Sequence, residues 1–141
     1  MYLYIISKGA WHSRFPDLPG ALDSKQKGGR PMPRIAVVDD QPDMRQQLCS
    51  MIDQYSRENN CMLEVTAFSD GAQVITNYCK GFDIIFLDIE MPELGGMDAA
   101  ERIRTVDPDV VLVFVTNMAQ YAIRGYEVDA LDFVLKPVYY Y

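Results

Sequence analysis

Phe82-Asp83-Ile84-Ile85-Phe86-Leu87-Asp88 is a largely apolar run closed by an aspartate, and a loop containing Pro92, Gly95 and Gly96 follows it. A strand buried on both faces reads as continuous apolar residues, and a charged residue at its end marks where the chain surfaces. The same pattern recurs on either side. Ile35-Ala36-Val37-Val38 ends in Asp39-Asp40, the valine-rich run Val110 to Val115 ends at Thr116, and Leu131 to Leu135 is stopped by Lys136-Pro137. Leu63, Val65 and Ala67 alternate as a further strand, second in chain order.

Helical patterns fill the intervals. Met44, Leu48, Met51, Ile52 and Tyr55 fall on one face of an amphipathic helix. Residues 70–80 predict a helix with Val74, Ile75 and Tyr78 inward, and a third runs from Met97 to about Arg104. A fourth, weaker in pattern, holds Tyr121, Ile123 and Val128. Strands alternating with helices predict a doubly wound α/β fold with a parallel sheet. A fifth helix would complete the covering of the sheet, and the chain ends at Tyr141 before it can form. The expectation is a domain truncated before that helix, with an apolar sheet face left open to water.

Composition narrows the function classes. At 141 residues the chain has room for one ordinary domain. No apolar run approaches the roughly 20 residues of a membrane helix, and no secretory cleavage pattern follows Met1 to Ile6. Three cysteines, Cys49, Cys61 and Cys79, show no metal or redox spacing and fit a reduced, cytoplasmic protein. The single histidine, His12, excludes a three-histidine zinc site and a histidine-based triad within the patterned region. Residues 1–33 carry five basic and two acidic residues, which leaves −10 of the total charge of −7 for residues 34–141. So acidic a body repels nucleic-acid phosphates. Lys27-Gly-Gly-Arg-Pro-Met-Pro33 breaks the backbone, so 1–33 reads as a flexible extension or a mis-assigned start, and 34–141 as the domain.

In open parallel sheets, functional groups gather at the carboxyl ends of strands near the point where strand order reverses. Four strand ends here supply Asp39-Asp40, Asp88, Thr116 and Lys136. Three clustered carboxylates repel one another, and a hard cation such as Mg²⁺ relieves them. An aspartate beside such a cation can accept a phosphoryl group, with a hydroxyl and an ammonium to receive its oxygens. Taken singly, each residue has a plainer reading: Asp39-Asp40 as a turn or helix cap, Thr116 as a cap, Lys136 as a solvated strand end, Phe133 as core.

Val-Val-Asp39-Asp40, Phe-Leu-Asp88-Ile-Glu-Met-Pro92, Val-Thr116 and Phe133-Val-Leu-Lys136-Pro137, in that order and spacing, resemble the receiver domain of bacterial two-component response regulators. The resemblance covers Arg34 to Pro137 and implies a flavodoxin-like (βα)5 fold of strand order 2-1-3-4-5. It implies Asp88 as phosphoacceptor, with Asp40, Asp88 and the Glu90 carbonyl on Mg²⁺, Asp39 acting through water, and a cis Lys136–Pro137 bond. Thr116 and Phe133 would form the switch. The partner implied is a sensor histidine kinase. The stretch from Thr116 to Phe133 is similar to receivers that precede LytTR-type DNA-binding domains, so DNA contact would belong to an output domain of the parent protein, which could also dimerise. Such a domain takes part in its own phosphorylation without turnover on an external substrate. The competing readings are weaker. A flavin-phosphate binder would not place Asp-Asp-Gln-Pro-Asp in its first loop, and a haloacid-dehalogenase-type phosphatase would carry aspartate where Glu90 stands. The remaining alternative is a pseudo-receiver, an interaction module that is never phosphorylated.

Overall fold

Along each central strand, alternate side chains enter two separate apolar layers, one on each face of the sheet. The computed structural model describes residues 32–76, 78 and 81–140. The extension 1–33, apart from Met32 and Pro33, lies outside the described residues, as do Cys79 and Tyr141. Strands β1 (Arg34–Val38), β2 (Glu64–Phe68), β3 (Ile84–Leu87), β4 (Val111–Thr116) and β5 (Asp132–Leu135) form one sheet in the order β2-β1-β3-β4-β5. Every pairing is parallel. Helix α1 (Pro42–Glu58) covers one face, where Ile35, Val37, Ile84, Phe86, Val113 and Val115 point. The opposite face, with Ala36, Val38, Ile85, Leu87, Leu112 and Phe114, is covered by α2 (Gly71–Thr76) and α3 (Gly96–Val106). Burial of both faces accounts for the near-continuous apolar reading of β1, β3 and β4.

The five residues predicted for the inner face of α1 are the five it buries. Pro42 opens that helix, where its missing N–H costs nothing. Elsewhere the boundaries moved. Helix α2 is described over Gly71–Thr76, with Val74 buried and Ile75 and Tyr78 packed at the rim; residues 77, 79 and 80 of the predicted helix lie outside the described residues. In place of one fourth helix there are a 3₁₀ turn (Ala119–Tyr121), a single α turn, α4 (Ala122–Gly125), and a second 3₁₀ turn (Tyr126–Val128). Ile123 is 78 % exposed there, so the apolar period misled; Val128 supplies the core contact. Ala67 is also exposed, because β2 is an edge strand.

The expected open sheet face is not seen. Val111, Val113, Val115 and Val134 are buried. Part of the cover comes from the segment after β5, which turns back onto α1. Val138 is buried, its carbonyl accepts from Gln47 Nε2 at 2.9 Å, and the Tyr140 hydroxyl donates to Glu58. A small apolar pocket remains between α1 and the sheet, bounded by Leu48, Ile52, Val115, Val134 and Val138. Among the described residues no helix is long and apolar enough to cross a membrane.

Candidate functional site

Three of the polar strand ends are fixed by hydrogen bonds that extend the sheet one residue beyond its strands. Asp39 N–H donates to Phe68 O at 3.1 Å, Asp88 N–H to Val38 O at 2.9 Å, and Lys136 N–H to Thr116 O at 2.9 Å. Because β1 and β3 are neighbours, Asp39 and Asp88 emerge side by side, with Asp40 next in the chain. One carboxylate oxygen from each of Asp39, Asp40 and Asp88 lies within 4.8 Å of the others. Asp39 and Asp88 are buried, whereas Asp40 is exposed.

Lys136 reaches into this cluster from the end of β5. Its Nζ stands 2.7 Å from Asp39 Oδ2 and 3.1 Å from Asp88 Oδ2, and its side chain is only 6 % exposed. The Asp88 contact is a hydrogen bond and the Asp39 contact is a close buried ion pair. Burial pushes the Asp39 carboxyl above its ordinary range and Asp88 adds to this, against the opposing pull of Lys136 and the Gln41 N–H. Burial would lower the Lys136 ammonium, but the hydrogen bonds and charges of the two aspartates outweigh it and hold the group protonated.

One ammonium therefore faces three carboxylates. The excess of carboxylates over the single ammonium and the all-oxygen donor set fit a small hard cation with open positions for water. The cluster contains no imidazole and no thiol, which would suit softer metals.

The remaining predicted residues surround the cluster. Thr116 is fully buried, and its Oγ1 accepts from Met118 N–H at 3.2 Å, a cap on the turn that follows. Glu90 is exposed, and its N–H donates to Asp88 Oδ1 at 3.4 Å. Phe133 lies away from the carboxylates, half-buried, its ring centroid 6.0 Å from that of Phe114. It lines a pocket with Ala122, Gly125, Tyr126 and Ala130. The Lys136–Pro137 peptide bond is cis.

Two neighbours were not singled out by sequence patterning. Arg45, in the first turns of α1, donates from its guanidinium to Asp39 O at 2.8 Å. Asp70 is buried at the head of α2 and accepts from Ala72, Glu93 and Leu94. A helix-cap signal, aspartate before Gly-Ala, was available for Asp70. Its link to the loop after β3 was not.

Comparison with known proteins agrees with this geometry. Residues 35–140 match the response regulator receiver domain family. The sensory transduction protein LytT of Oceanobacillus iheyensis is 32 % identical over 106 residues, covering 73 % of this chain and 42 % of its own. LytR of Staphylococcus saprophyticus is 30 % identical over 112 residues, covering 74 % of this chain and 40 % of its own. The chain thus spans about two fifths of the length of these relatives. Among solved structures, the response regulatory domain of mrkE from Klebsiella pneumoniae superimposes with a TM-score of 0.66 at 29 % identity, covering 75 % of this chain and 84 % of that one. TrrA from Thermotoga maritima, in complex with Mg²⁺ and beryllofluoride, gives 0.65 at 28 %, covering 74 % and 87 %. With a five-stranded sheet of order 2-1-3-4-5, an acidic cluster at its carboxyl edge and a family match over three quarters of its length, the chain belongs to the response regulator receiver domains of two-component systems.

Proposed function

We propose that this domain is a phosphorylation switch in which Asp88 accepts a phosphoryl group from a phosphohistidine of a partner sensor kinase. The observation that carries the reading is the placement of the Lys136 ammonium on both buried aspartates. An Asp88 carboxylate oxygen attacks phosphorus as the P–N bond to the imidazole breaks, and the imidazole leaves with a proton. Asp40, Asp88 and the Glu90 carbonyl would hold Mg²⁺ directly, and Asp39 would orient a bound water. When present, the cation offsets the charge gathered on the transferring oxygens. The mobile Lys136 ammonium follows the new phosphoryl oxygens, leaving Asp39. Thr116 turns its hydroxyl from Met118 N–H toward the same oxygens, and Phe133 repacks against Phe114 in response.

The similarity to LytT and LytR supports a parent protein in which this switch governs a DNA-binding output domain, in the cytoplasm and with dimerisation as one outcome. Turnover on an external substrate has no place in this scheme.

Intact mass spectrometry after incubation with acetyl phosphate tests the proposal. A single Mg²⁺-dependent phosphoryl adduct, absent from Asp88→Asn, is the expected result. A folded wild-type chain that takes no adduct would overturn it in favour of a non-phosphorylated interaction module.

A further inference from the structure

The loop between Asp88 and α3 is closed tightly at its base. Gly96 N–H donates to Ile89 O at 2.9 Å, and a Cβ built on Gly96 would fall 2.0 Å from Asp88 O. The outer part of the loop is held from a different element. Glu93 N–H donates to Asp70 Oδ2 and Leu94 N–H to Asp70 Oδ1, each at 3.0 Å. Leu94 O also lies against the start of α2, where a Cβ on Gly71 would be 2.4 Å from it.

A helix cap needs only one oxygen, and Asp70 Oδ1 serves Ala72 N–H at 2.9 Å in that way. The second oxygen, and a second bond to the first, are directed at residues 23 and 24 positions further along the chain. That surplus is what a cap does not explain. Asp70 is only 5 % exposed, and a buried carboxylate is costly unless its oxygens are hydrogen-bonded, as they are here by these three amides. Three N–H donors outweigh the burial and keep its carboxyl below the ordinary range, ionised at neutral pH.

We infer that Asp70 is a positioning residue for the cation site, holding the loop that carries Glu90 at a fixed height above Asp88. The inference rests on the phosphoacceptor reading above. Mg²⁺ requires near-ideal octahedral placement of its ligands, so a backbone carbonyl on a loose loop binds it poorly. Removing a group that orients a metal ligand from behind typically weakens metal affinity about tenfold or more.

Two substitutions separate the cap from the clamp. Asp70→Ser retains a side-chain oxygen for Ala72 N–H but is too short to reach the loop. Asp70→Asn retains Oδ1 for Ala72 and Leu94 and loses the acceptor for Glu93. Isothermal titration of the whole chain with Mg²⁺ alone, in the absence of a phosphoryl donor, should show affinity about tenfold weaker for Asp70→Ser and roughly threefold weaker for Asp70→Asn. Amide exchange at Glu93 and Leu94 should quicken in the serine variant, and at Glu93 in the asparagine variant.

A merely structural residue would lower the melting temperature and leave the Mg²⁺ affinity of the folded protein unmoved. Wild-type affinity in folded Asp70→Ser therefore overturns the inference while leaving Asp88 as phosphoacceptor intact. Should the serine variant not fold, wild-type affinity in Asp70→Asn with faster exchange at Glu93 overturns it equally. A wild-type chain that binds no Mg²⁺ removes the cation reading, and the positioning role falls with it.

Discussion

Gly96 packs directly on the carbonyl of Asp88, so close that a single added carbon would lie 2.0 Å from the oxygen. No rotamer can relieve a Cβ clash with backbone. Gly96→Ala should therefore displace either the first turn of α3 or the end of β3, destabilising the protein by about 2 kcal/mol or more. Urea unfolding measures it. A midpoint equal to wild type would show that the α3 start can yield without cost.

Among the described residues Lys136 is the only cation paired with the carboxylates of Asp39 and Asp88. Replacing it with methionine preserves much of its length and removes the charge, leaving Asp39 and Asp88 facing each other uncompensated. The expected loss is about 3 kcal/mol in Mg²⁺-free buffer, since breaking a buried pair strands its partner. Added Mg²⁺ should restore a larger part of the melting temperature in Lys136→Met than it adds in wild type. Equal shifts in the two proteins would mean that lysine and cation do not share the same carboxylates.

Asp39 should behave in the opposite sense. Burial and the neighbouring Asp88 penalise its charge more than Lys136 and the Gln41 N–H favour it. The neutral isostere in Asp39→Asn should stabilise the metal-free protein by about 1 kcal/mol while weakening Mg²⁺ binding, a gain of stability against function. Thermal melts and Mg²⁺ titration of one preparation test both halves. A lower melting temperature in Asp39→Asn would show that its ion pair with Lys136 outweighs the repulsion.

The carboxyl of Asp70 sits below its ordinary value of 3.8, because three backbone N–H groups outweigh the effect of burial. A group depressed in the folded state binds protons more readily when unfolded. Its stabilisation is thus complete above about pH 4 and disappears as pH falls through the lower, folded value. Asp70→Asn should lose about 1 kcal/mol at neutral pH and show a shallower decline in acid. Denaturant midpoints between neutrality and pH 3 follow it. Parallel acid limbs for wild type and variant would remove Asp70 from the account of acid sensitivity.

The sheet was legible because burial on both faces leaves a strong trace, as in Val110 to Val115, and because each run ended in a polar residue at a strand tip. The buried face of helix α1 was legible to the residue. Ile123 was not, since one turn of helix is too short for its period to distinguish core from surface. Nor was the fate of the sheet face beside α1, where part of the cover depends on Val138 and Tyr140 folding back over a proline. At the candidate site, residue types and order pointed to Asp39, Asp40, Asp88 and Lys136, which the fold does bring together. The contact of Arg45 and the link from Asp70 to the loop after β3 were illegible, because they pair side chains with backbone amides and carbonyls, and every residue except proline offers both.

Strand order also sets how far a disturbance at the acidic tip must travel. Asp88 follows β3, Thr116 ends β4, and Lys136 follows β5, the outermost strand on that side. Two lateral steps, each one strand spacing of about 4.8 Å, lead from the carboxylates to the rim of the molecule, where Leu135 already faces solvent. No long lever is required. The interior charge cluster and the outer margin are next-but-one neighbours, so an event of atomic dimensions at one is within direct mechanical reach of anything resting on the other.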